Sequence, residues 1–293
     1  MTSFLNKALR YSTYNTFFVV LFCCTLIAQI SFAQRKDTTG YSGYSVNYRI
    51  SVPVIAVGTA TNAIGLARIR NKERLTPDQL SDLNISDVPK FDRIALRQHA
   101  DGYLDYEESS DFALSWGTLL PAVLIIADRR MRKDWLDISV VYLESQILTS
   151  NLYGWSFLGP TFIERYRPVT YFPEVPVDER LWGGNRNSFY SGHVSVTAVT
   201  TFFMAQSYLD YHPEKRKLRW LLYGLASVPP GLIGYKRVQA LKHFPSDVLA
   251  GYVIGLAGGI LIPKLHQRKK GKDVSLSLAY EKDWKMIRCI WTL

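Results

Sequence analysis

Five apolar stretches, at about 112–128, 135–154, 194–211, 218–234 and 247–263, constrain this 293-residue chain more than any other feature. Each is long enough to be a buried helix or to cross a bilayer as one. Clumps of basic residues abut several of them: "RRMRK" at 129–133, "EKRKLR" at 214–219 and "KLHQRKKGK" at 264–272. The formal net charge of +10 therefore lies at the ends of apolar segments, which points to a membrane surface. No zinc-finger spacing or aromatic-basic repeat points to nucleic acid. The expected fold is all-α: a bundle of about five to six mostly apolar, transmembrane helices with the active site at helix ends, followed by a short strand-like tail.

Flanking regions divide the chain further. Residues 1–33 read as an export signal or an uncleaved anchor. Lys7 and Arg10 precede "FFVVLFCCTLIAQI", and "SFA" stands before Gln34. Cys23 and Cys24 fall inside that segment. Cleavage would leave Cys289 alone, with no intrachain disulfide. Residues 34–110 read as a polar lead-in, a weak apolar segment at 50–66 and a polar insert, with "TPDQL" as a proline-started helix. Residues 111–263 form the helical bundle, and 264–293 a basic tail whose "DVSLSLAY" alternates like a strand. Gly251, Gly255 and Gly259 recur every four residues and predict one smooth helix face against a neighbour. Pro229 and Pro230 predict a kink or a break in their helix.

The seam "RVQALKHFPSD" at 237–247 carries the chemistry. Residues four apart share a helix face, so His243 and Asp247 are expected to meet through a side-chain hydrogen bond. A carboxylate on one imidazole nitrogen leaves the other as a base or nucleophile. Arg237 adds a planar, bidentate oxyanion binder. Taken alone, the same residues also suit a capped helix with a surface histidine. In "NSFYSGHVSVTAVT", Ser191, Gly192 and His193 stand at the mouth of an apolar helix, where free N–H groups bind anions. "FIERYRPVTYFP" places Arg167 before Pro168 at the end of another. His99, His212 and His266 have no ligand-like spacing, so neither a metal nor a cofactor is expected.

This order of Arg-Pro, Ser-Gly-His and Arg-x5-His-x3-Asp resembles the type 2 phosphatidic acid phosphatase superfamily, over about residues 110–263. The resemblance implies His243 as a nucleophile forming a phosphohistidine, Asp247 orienting it, and His193 as acid and then base. Arg167, Arg237, Ser191 and Gly192 would bind the phosphoryl oxygens. Three positions depart from the pattern: Pro160 replaces the lysine of the first element, Tyr190 a proline and Lys236 a serine. Arg165 is the expected substitute cation. The implied function is a membrane-associated phosphatase acting on lipid phosphate or pyrophosphate monoesters. The alternatives are a soluble periplasmic acid phosphatase, a vanadium-dependent haloperoxidase and a non-catalytic binder of anionic lipid. The expected partners are a phosphorylated lipid or other phosphate ester and the membrane, with no obligate protein partner. By the positive-inside rule the site faces the periplasm from a bacterial inner membrane.

Overall fold

The computed structural model describes residues 43–268 and the backbone of two strands beyond them. The segment read as a signal or anchor, with Cys23 and Cys24, lies outside the described residues, as do 269–273 of the basic clump.

The bundle begins earlier than the apolar run at 112. Residues 50–66, read as a weak apolar segment, belong to a 23-residue helix, α1 (Tyr48–Arg70), capped by the Asn47 side chain. It packs on α4 (Trp135–Gly154), where Gly58 lies against Ile147 and Gly65 against the Gly154 backbone. Between them run α2 (Tyr103–Gly117) and α3 (Leu120–Ala127), which together make one span of 25 residues. Then follow α5 (Gly192–Tyr211), α6 (Arg219–Gln239) and α7 (Pro245–Leu265). Among the described residues, three segments are long and apolar enough to cross a membrane: α1, α2–α3 and α7. The other long helices have 20 or 21 residues, about 30 Å of rise.

The surface is apolar where the interior is polar. On α6, Leu221, Leu225, Val228 and Leu232 are exposed along one face, each by more than half. Inside, Tyr142, Gln146 and Thr200 bond one another, and Gln206 bonds Asp210 and Tyr223. Such an inside-out arrangement suits a lipid solvent, where polar groups need partners within the protein.

Two sequence features set the helix packing. A side chain at Gly251 would collide with the backbone of Ser191, at Gly255 with that of Ser195, and at Gly259 with that of Val199. The glycine face therefore lets α7 lie directly on α5, as its spacing predicts. The predicted break at Pro229 and Pro230 does not occur, and α6 is assigned as helix throughout. Pro230 cannot bond the Ala226 carbonyl four residues back. Thr201 of α5 donates to that carbonyl at 2.7 Å instead.

The insert before α2 holds the expected "TPDQL" helix, Pro77–Ser81, with Thr76 and Gln79 closing a capping box. The tail forms a hairpin of β1 (Val274–Glu281) and β2 (Trp284–Trp291), where a single strand-like run was expected. Gly43 and Tyr44 sit at the bundle end opposite His193 and His243: Tyr44 bonds Ser207 and Asp210, and Arg268 N–H donates to the Gly43 carbonyl.

Candidate active site

The predicted elements converge where α5 and α7 begin and α6 ends. His243 is 2 % exposed, in the turn between α6 and α7. Its Nδ1 lies 2.6 Å from the Ser188 carbonyl oxygen. A carbonyl only accepts, so Nδ1 carries the proton and Nε2 keeps its lone pair. Burial pushes the His243 pKa well below the ordinary histidine value, and the charges of Arg237 and Arg167 push it the same way. The ring is thus held neutral and nucleophilic at one defined nitrogen.

The expected direct hydrogen bond from His243 to Asp247 is replaced by a bridge. Asp247 accepts from Ser188 Oγ at 2.6 Å and from the Phe244 N–H at 2.8 Å, and its other oxygen meets Arg165. His243 precedes the helix that begins at Pro245, so the four-residue rule does not place the two side chains together. Ser188 serves both, with its hydroxyl on Asp247 and its carbonyl on His243.

Arg237 is buried and Arg167 half-buried, and each has a buried Nε without a partner. Ser191 occupies the N-cap position of α5, yet its buried Oγ makes no capping bond and is likewise unpartnered. A buried polar group without a partner is costly, so these donors mark a place built for an acceptor. Tyr153 packs near the α5 mouth, with its ring edge against Tyr190 and its ring facing Gly192. His193 Nε2 lies 2.8 Å from Asp111 Oδ1, and the same oxygen accepts from Arg237 Nη1 at 3.1 Å.

Arg165, the expected substitute for the lysine absent at Pro160, engages carboxylates. Its guanidinium bonds Asp92 at 2.7 Å, Ser246 at 2.8 Å and Asp247. The buried cation beside the arginines is Lys242, paired with Glu107 at 2.8 Å. Burial lowers the pKa of Lys242 and Glu107 opposes that shift, while Arg167 and Arg237 lower it further.

A family model described as PAP2 superfamily matches residues 134–270. A phosphatidylglycerophosphatase B from Bacillus subtilis is 30% identical over 157 residues, covering 52% of this chain and 70% of the relative. The chain belongs to the PAP2 superfamily. A crystal structure described as the first transmembrane PAP2 type phosphatidylglycerolphosphate phosphatase, also from Bacillus subtilis, is 22% identical. It covers 86% of this chain and 96% of that one, at a TM-score of 0.37, too low to bear on the fold. This PAP2 protein is a phosphatase by family and a membrane protein by its three apolar spans.

Three acidic residues of this PAP2 site lay beyond the sequence reading: Asp111, Glu107 and Asp92. The first two belong to the acidic run at 101–111, one turn apart on α2, and face His193 with Arg237, and Lys242. Their four-residue spacing was a signal, but only the fold says what they face.

Proposed function

We propose that this protein removes the phosphate of a membrane lipid monoester through a phosphohistidine on His243. Phosphatidylglycerol phosphate is the first candidate, from the name of the Bacillus relative. The observation that carries the reading is the set of unpartnered buried donors, Arg167 Nε, Arg237 Nε and Ser191 Oγ, in the site of a neutral histidine.

In this reading each group has a defined role. The phosphoryl oxygens take the free donors of Arg167, Arg237 and Ser191 and the N–H groups at the α5 mouth. His243 Nε2 attacks phosphorus, and the bond from phosphorus to the lipid oxygen breaks. His193, its Nε2–H on Asp111, gives its other proton to the leaving oxygen. It then takes a proton from the water that attacks the phosphohistidine, releasing inorganic phosphate and freeing His243. Ser188 holds His243 through its carbonyl, and Asp247 holds Ser188.

The site lies at the bundle end away from the clumps at 129–133 and 214–219, so the positive-inside rule turns it outward, toward the periplasm of a bacterial inner membrane. Gly43 then lies on the cytoplasmic side.

Phosphate release from a panel of lipid and soluble esters tests the function. Release from a lipid monoester by the wild type, abolished in His243→Ala, is the expected result. A wild type inactive on every ester overturns it.

A further inference from the structure

The polar insert before α2 reaches the nucleophile through one side chain. Asp92 is 1 % exposed and stands in a short 3₁₀ turn, Asp92–Leu96, far from the motifs in sequence. Its Oδ2 lies 2.7 Å from Arg165 Nη2, and it accepts from Ser246 N–H at 2.9 Å and Ser246 Oγ at 2.7 Å. Ser246 is in the first turn of α7, so Asp92 also sits at the positive end of that helix.

From Arg165 the network continues inward. Arg165 Nη1 bonds Ser246 Oγ and Asp247, and Asp247 holds Ser188 Oγ. The Arg165 carbonyl accepts from the Ser188 N–H at 2.9 Å. Ser188 is thus fixed at its N–H and its hydroxyl, and its carbonyl sets the tautomer of His243. Asp247 is fully buried, so Arg165 is shared between two buried carboxylates. Without Asp92, Arg165 loses one of the three side chains that aim it, and its Nη2 is left to turn toward the cavity of about 290 Å³ that it lines with Tyr166, Tyr171 and Phe244.

We infer that Asp92 is a positioning residue for phosphoryl transfer, acting through Arg165 and Ser188 to keep His243 Nε2 aimed at phosphorus. The assignment rests on the phosphohistidine reading above. It makes Arg165 an orienting group, in contrast to the phosphate-binding cation expected from the sequence.

The test compares chemistry with phosphate binding in detergent-purified, monodisperse protein. Asp92→Asn keeps the shape and removes the charge. Its single-turnover rate of phosphohistidine formation should fall about ten- to a hundredfold, as loss of an orienting partner commonly costs. Its competitive inhibition constant for inorganic phosphate should stay within about threefold, because the arginines of the cradle are untouched. An unchanged rate overturns the proposal. So does a parallel loss of rate and phosphate affinity, which would mean that Asp92 supports the whole site. If Asp92→Asn cannot be isolated folded, Arg165→Ala decides. Millimolar guanidinium, admitted through the cavity, should restore part of its rate, and absence of rescue counts against the network. A wild type that forms no phosphohistidine defeats the underlying reading, an outcome distinct from all of these.

Discussion

His193 Nε2 and Asp111 Oδ1 stand 2.8 Å apart, across two helices that the sequence separates by 82 residues. In the proposed mechanism the pairing fixes which nitrogen of His193 acts as the acid. With Nε2–H donated to the carboxylate, Nδ1 is the nitrogen available to a leaving oxygen, and Asp111 stabilises the imidazolium that must deliver the proton. His193→Gln should lower turnover on an alkyl phosphate by about a hundred- to ten-thousandfold. On an aryl phosphate with an acidic leaving group the loss should shrink sharply, since that oxygen departs without a proton. Asp111→Asn should show the same leaving-group dependence with a smaller loss. Equal losses on both substrates would show that His193 is not the acid.

The neutral state of His243 gives a pH prediction. Its pKa lies well below the ordinary 6.5, so the ring stays unprotonated as the pH falls through that value. Unfolded chains take up the proton first, so His243 costs stability progressively below pH 6.5. In a His193→Gln background, phosphate-protectable inactivation by diethyl pyrocarbonate, which needs neutral imidazole, should persist below pH 6.5. A reactivity midpoint at or above 6.5 contradicts the assignment.

Thr201 and Pro230 should be coupled. Thr201→Val leaves the Ala226 carbonyl without the donor it now has, at a cost of about 0.5–1.5 kcal/mol. In a Pro230→Ala background the helix supplies its own N–H, and the same substitution should cost about half or less. Equilibrium unfolding in detergent measures both, and equal costs in the two backgrounds would show that Thr201 does not replace the missing bond.

Orientation is open to labelling. With the three native cysteines replaced, a cysteine at Glu174, exposed near the site, should react with a membrane-impermeant thiol reagent in intact spheroplasts. Cysteines at Ser45 and Lys217, at the opposite end, should react only after lysis. The reverse pattern would invert the topology.

What the sequence revealed depended on local spacing. Arg167, Ser191, Gly192, His193, Arg237 and His243 lie in three short motifs at helix ends, so reading them needed no long-range pairing. The partners of the histidines were harder. Asp247 was assigned directly to His243 by a rule for residues on one helix, but Pro245 starts the helix after His243. Asp92 carries no periodic mark, and the four-residue spacing of Glu107 and Asp111 does not say what they face; the fold opposes Asp111 to His193 and Asp92 to Arg165. Arg165 and Arg167 share one segment, whose backbone N–H groups donate to the Arg186 and Asn185 carbonyls. Its two carboxylate partners come from elsewhere in the chain.

The glycine face of α7 has a mechanical consequence. Gly251 meets the backbone of Ser191, and the Ser191 N–H donates to the Asp247 carbonyl at 3.0 Å. The helix carrying His193 and the helix that follows His243 therefore rest on each other main chain to main chain at Gly251 and Ser191. Contact of that kind works as a hard stop: it fixes the separation between the helix of His193 and the turn of His243 while side chains elsewhere fluctuate. A methyl group added at Gly255 would act as a shim, driven against the Ser195 carbonyl and the Ala198 side chain and parting the two helices.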